Sequence, residues 1–440
     1  MSDDIVFVQS FLLGANDAPP ASTKETVPTR WYRYKCLRNY FRIAFIGASL
    51  GLAVADFVDV ITFSLGASGD TGDAAQPFVI SLGQLLWRSF FAARGVTVLV
   101  LFSYRLPQWR ALRAFALNKT RLQLNLCNAK VLTSFRHLSM LLFVISFSAH
   151  VSTMALFWLS LEGFLDGPIN WGGNISGAAV LENSTSCYYM WFDRCVGRNT
   201  YVPLWTLLID CPFILSQQVL ISGLIFVWLA VKAMRSLRKE VAIEKVNLTV
   251  AWSDTGSNLL PDMIRNWTLT YVNMARFVEY FNELFGRILL VSVGLDVMTV
   301  LGVCARIIAV PERTEAFPLK NLRYGWDAVL FLAYATICYM PCIILHEESR
   351  KLNGTLRDFV WTAHGFGEQT IQANKEPSSK DASAVLKQIM TFSRIVEKSP
   401  LTIEVGGLFN FSRTSLVTIL TSVVTTLLLT KEILKRSDTT

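Results

Sequence analysis

The chain has 440 residues, of which 52% are hydrophobic and only 17% charged, and its mean hydropathy is +0.39. Soluble globular chains carry about 25% charged residues, so the composition excludes a water-soluble domain and implies a membrane protein. The formal net charge of +8 falls in loops beside apolar blocks, as on cytoplasmic faces, and gives no sign of a nucleic-acid partner.

The opening stretch, MSDDIVFVQSFLLGANDAPP, has acidic residues where a secretory signal would be basic, so the first long apolar block is expected to act as the membrane signal. Seven apolar blocks follow, at 41–65, 78–104, 136–161, 202–231, 285–309, 327–345 and 408–430. Each is close to the ~20 residues that ~30 Å of hydrocarbon demands. Lys and Arg are rich in alternate segments between them, 26 against 8. That alternation predicts an N-terminus in the cytoplasm and a C-terminus outside, the reverse of a G-protein-coupled receptor. The fold class expected is an all-α membrane protein with seven transmembrane helices and helical cytoplasmic extensions.

The loop between the third and fourth blocks, expected outside, carries glycosylation sequons at Asn174 and Asn183. It also holds Cys187 and Cys195, which form a disulfide or stay as two loop thiols. No cysteine pairing has zinc spacing, the four histidines form no H-E-x-x-H, and no His- or Ser-based catalytic cluster occurs. No metal, cofactor or enzymatic activity is expected.

Ionisable residues inside spans are costly and mark functional sites by default. The alternation places Asp56, Asp59, Arg88 (after Trp87), His150, Asp210 and Asp296 at a similar level, a little outside the midplane. An Asp56–Arg88 ion pair is plausible there. With Tyr334 and Tyr339, the layer either lines a pocket for a polar small molecule or forms a buried network that fixes helix register. His150 by itself reads as a satisfied core histidine.

The cytoplasmic segments read as structured. Helical spacing covers 384–396, and the stretches 270–285 and 345–361 extend membrane helices, while 366–383 reads as a linker. In the last block Ser415, Thr418, Ser422 and Thr425 recur at spacings of three, four and three. One hydroxylated stripe on an otherwise apolar helix suits a pore wall; the other reading is hydroxyls bonded to their own i−4 carbonyls or joining helices.

The phrase ILHEESRKL at 344–352 and the C-terminal GGLFNFSRTSLVTILTSVVTTLLL at 406–429 resemble the invertebrate gustatory receptors, relatives of insect odorant receptors. That family ends its last span with T-Y, five apolar residues and Q. Here Thr425 matches the Thr, Thr426 stands at the Tyr and Glu432 at the Gln, which marks a divergent member.

The resemblance implies a chemosensory, ligand-gated, non-selective cation channel in the plasma membrane, with a small-molecule ligand and lipid as partners. It further implies a homo- or hetero-tetramer whose last helices line the pore. The expected organisation is a cytoplasmic segment 1–40, a sensing domain 41–345, anchor helices 346–407, a pore helix 408–430 and an outer tail 431–440. Glu432 would then sit at the outer mouth, opposed by Lys431. The rival readings are a polytopic transporter, which would show paired halves that are not seen here, and a light- or oxidant-sensing member of the same family.

Overall fold

The computed structural model describes residues 43–55, 75–117, 187–191, 194–197, 204–251, 260–309, 317–372 and 379–437, with isolated positions at 40, 57 and 58 and between 137 and 152. The elements, in chain order, are α1 (Ile43–Ala55), α2 (Ala75–Tyr104), α3 (Leu106–Leu117), the strands β1 (Cys187–Trp191) and β2 (Arg194–Gly197), and a π-turn (Thr206–Asp210) that leads into α4 (Cys211–Ala251). There follow α5 (Leu260–Ala309), α6 (Phe317–Gln372), α7 (Ser379–Lys398), β3 (Glu404–Val405), β4 (Phe409–Asn410) and α8 (Arg413–Ser437).

Among the described residues four helices are long and apolar enough to cross a membrane, or five if α2 and α3, bent by 70° at Arg105, count as one broken span. The break is stabilised at Arg105, whose Nη1 donates to the carbonyl of Glu283 on α5. Pro107, in the first turn of α3, has no amide proton to leave unpaired there.

Helices α5 and α6 have 50 and 56 residues. At 1.5 Å per residue these are rods of about 75 and 84 Å, far longer than the ~30 Å of hydrocarbon. Each therefore runs well beyond the bilayer, as the helical spacing of 270–285 and 345–361 anticipates. Between 260 and 293 in α5, and between 338 and 363 in α6, they pack with α2, α3 and α4 around an aromatic core. The ring of Trp109 lies 5.5 Å from Phe226 and 5.8 Å from Phe285, which stacks on Phe281 at 4.8 Å.

Helix α7 buries Val385, Ile389, Phe392 and Val396, spaced four, three and four, so one apolar stripe faces α5 and α6. Arg357 and Glu397 pair at 2.7 Å across the α6–α7 edge. The segment read as a linker is shorter than 366–383, because α6 continues to Gln372 and α7 already begins at Ser379.

The last element also starts later than 408. Val405 pairs with Phe409 and Glu404 with Asn410 in a tight hairpin. Gly406 (φ 61°) and Gly407 (φ 74°) supply the left-handed turn that L side chains resist. Helix α8 then opens at a reciprocal cap. The Ser415 amide donates to Ser412 Oγ at 3.1 Å, and the Ser412 amide donates to Ser415 Oγ at 2.8 Å. At its far end α8 continues through Ser437, so most of the expected tail 431–440 is helical.

Candidate functional site

Among the described residues, the bundle interior holds a dense polar cluster. Arg94 on α2 is 1% exposed and Asp296 on α5 is 7% exposed, and the two form an ion pair. A buried charge needs a partner and hydrogen bonds to persist, and both are present. Ser292, one turn before Asp296, donates to its Oδ2 at 3.2 Å, and Tyr339 on α6 donates to the same oxygen at 3.3 Å. On the other side Arg94 Nη1 donates to Ser216 Oγ on α4 at 2.8 Å, and its guanidinium lies 4.6 Å from the Phe213 ring centroid. Four helices are thus joined by one network.

Close approach makes this possible. A Cβ added to Gly95 would lie 2.7 Å from the backbone nitrogen of Phe213, so α2 and α4 touch backbone to backbone beside Arg94. Towards the N-terminal end of α2 the cluster is capped by aromatic rings. Phe91 stacks on Phe213 at 4.1 Å, and Phe331 of α6 meets both edge-on at 6.0 and 5.6 Å. An ion pair floored beneath three phenyl rings, between four helices, offers apolar surface with a few fixed polar groups.

From this network a path of contacts reaches the last helix. The Tyr339 ring stacks on Phe411 at 4.9 Å and 19°. The Phe411 amide donates to the Ile403 carbonyl at 3.0 Å, which closes the hairpin just before α8. The connector from α7 to α8 is fixed on both sides. Tyr271 donates to the Ser399 carbonyl at 2.7 Å, the Leu401 amide to Ser349 Oγ at 3.1 Å, and Asn282 brackets Thr402 and Glu404, each at 3.0 Å. Arg413, the first residue of α8, pairs with Glu347 of α6.

The expected site residues distribute as follows. Asp296 is the carboxylate of the ion pair. Tyr334 is buried on α6 one turn from Phe331, Trp87 on α2 lies against Gly302 of α5, and Asp210 closes the π-turn, half-buried. Arg88 is on α2, but its side chain, with Asp56, Asp59, His150, Asn174 and Asn183, lies outside the described residues. In the β1–β2 hairpin Cys187 stands opposite Gly197 and Cys195 opposite Met190; the side chains of both cysteines are also outside the described residues. The partner that Asp296 uses is Arg94, which the sequence reading passed over although it interrupts the apolar run FFAARGVTVLVLF.

Helix α8 is divided lengthwise into three faces. Leu416 and Ile419 pack on the core and Val423 is half-buried on the same side. Val417, Leu420, Val424 and Leu428 form an exposed apolar stripe on one flank. Thr418, Ser422 and Thr425 are exposed on the other, continuing the line from Ser415. Thr418 bonds the Thr414 carbonyl at 2.9 Å, and Ser415 is engaged in the cap.

No protein-family model and no curated protein sequence matches the chain. Its fold nevertheless resembles that of a solved insect olfactory receptor. The insect olfactory receptor OR5 from Machilis hrabei superposes with a TM-score of 0.55 at 10% identity, covering 97% of either chain. The same receptor in complex with eugenol gives 0.56 at 10% identity, over 99% of this chain and 98% of that one. At this identity the likeness defines the architecture alone, a multi-helix bundle with several helices apolar enough to cross a membrane.

Proposed function

We propose that the chain is a gustatory-type chemosensory receptor that works as a ligand-gated, non-selective cation channel of the plasma membrane. The observation that carries this is α8. It is apolar enough to span a membrane, yet no residue of its apolar stretch is fully buried by its own bundle. One face holds the subunit, one flank is apolar and the other hydroxylated. A helix so divided is suited to neighbouring copies on its apolar flank and to water on its hydroxylated one. Several copies about an axis, four by the gustatory-receptor resemblance, would enclose a conduit lined by Thr418, Ser422 and Thr425, with Ser415 at its inner end.

The shared architecture with an olfactory receptor solved with eugenol supports a small molecule as the ligand. We place it in the outer part of the bundle, at the aromatic rings over the Arg94–Asp296 pair, with Asp56, Trp87, Arg88, His150, Asp210 and Tyr334 as its proposed contacts. The seven-span topology, the cytoplasmic N-terminus and the outer C-terminus belong to the same reading. Opening then requires tighter binding of ligand to the open arrangement. The Asp296–Tyr339–Phe411 path gives the pocket a mechanical connection to the root of α8.

Whole-cell recording tests the lining. With sugars, bitter compounds, eugenol and light as the stimulus panel, Thr418→Leu and Thr425→Leu should reduce unitary conductance. Currents of unchanged conductance in both variants would remove α8 from the pore.

A further inference from the structure

A second charged cluster lies away from the buried ion pair, where α4 and α6 leave the apolar part of the bundle. Arg235 Nε is 3.4 Å from Glu348 Oε1, Arg238 Nε is 3.2 Å from Oε2, and Lys351 Nζ is 3.3 Å from Oε1. The Glu348 side chain is only 4% exposed, whereas those of Arg235, Arg238 and Lys351 are 45%, 31% and 52% exposed. One carboxylate therefore fixes three cations that face outwards, and two positive charges are left over.

The geometry of the arginines is specific. Both meet Glu348 through Nε, and their terminal guanidinium nitrogens donate to no described residue. A planar fork with its outer nitrogens free matches two oxygens of a phosphate. The adjoining turns add Lys232, Lys239 and Arg350 against Glu240 and Glu347. Glu347 is already held by Arg413, with Nη2 at 3.0 Å, so the surplus stays positive.

The depth of the cluster identifies the anion. The apolar runs of α4 and α6 end at 231 and 345, so Arg235 and Glu348 lie about one turn beyond them, at the level of lipid headgroups. Half-buried Trp228, Leu229 and Ile344 occupy the preceding turns, where acyl chains would run. Basic clusters at that depth attract anionic lipids. We propose that Arg235, Arg238 and Lys351, positioned by Glu348, bind the phosphate-bearing headgroup of an anionic phospholipid. The assignment rests on this end of the bundle being cytoplasmic. It does not depend on channel activity.

The test uses purified full-length protein in neutral detergent, with thermal unfolding as the readout, so it needs no current. Short-chain phosphatidylinositol bisphosphate should raise Tm saturably, and short-chain phosphatidylcholine should not. R235Q/R238Q should weaken the apparent affinity about tenfold or more. R235Q/R238Q/E348Q, which leaves no buried carboxylate without its arginines, should show the same loss and guards against a folding defect. No shift in the unmodified protein, an undiminished shift in both variants, or an equal response to free inositol trisphosphate at the same concentration would each overturn the lipid site.

Discussion

At the scale of single residues the Arg94–Asp296 pair dominates. Removing one partner strands the other charge in a dry interior, a loss of about 3–5 kcal/mol. Asp296→Leu should therefore fall apart on size-exclusion chromatography in detergent, while R94M/D296L should recover much of the monodisperse peak. A double variant no better than the single would show that the pair is not the origin of the defect. Tyr339→Phe removes one hydrogen bond to Asp296, worth about 1 kcal/mol, and keeps the ring on Phe411. Tyr339→Ala removes both. If the path to α8 is mechanical, Phe should leave gating near normal in recordings with the same stimulus panel, and Ala should shift it strongly; equal behaviour of the two would discount the stack.

Asp296 could be read from the sequence because a lone carboxylate in an apolar block is conspicuous. Arg94 is equally conspicuous in its apolar run, but the level expected for the polar layer selects Arg88. That Arg94 turns inwards depends on the rotation of α2, and that is set by the Gly95–Phe213 contact between elements far apart in sequence.

At the scale of elements, the long helices among the described residues are legible in the sequence and their ends are not. The long α5 and α6 follow from apolar periodicity that continues past the membrane, and α7 follows from its buried stripe. The start of α8 was obscured because a hairpin with two-residue strands has no measurable periodicity, although Gly406 and Gly407 mark its turn. A side chain at Gly406 would meet both a positive φ and Leu290, whose Cδ2 would lie 2.6 Å from a new Cβ. Gly406→Val should cost upwards of ~1–2 kcal/mol and lower the Tm of the solubilised protein, whereas Gly407→Ala, with open space around it, should carry only the backbone strain. Equal shifts would mean that Leu290 yields freely.

At the scale of the whole molecule, the account holds that one helix of each subunit is left for its copies. The bundle fully buries most of the apolar stretch of α4 and no residue of that of α8. The sequence displayed the hydroxyl stripe of α8 but not its apolar counterpart on the opposite flank, because Val417, Leu420, Val424 and Leu428 cannot be told from core-facing residues until Leu416 and Ile419 are seen packed inwards. Single cysteines placed along α8 in reconstituted membranes, and exposed to a membrane-impermeant thiol reagent, measure the division directly. The account predicts fast modification at 418, 422 and 425 and protection at 416, 419 and 423 and at 417, 420 and 424. Hydroxyl-stripe positions as unreactive as the apolar stripe would contradict it.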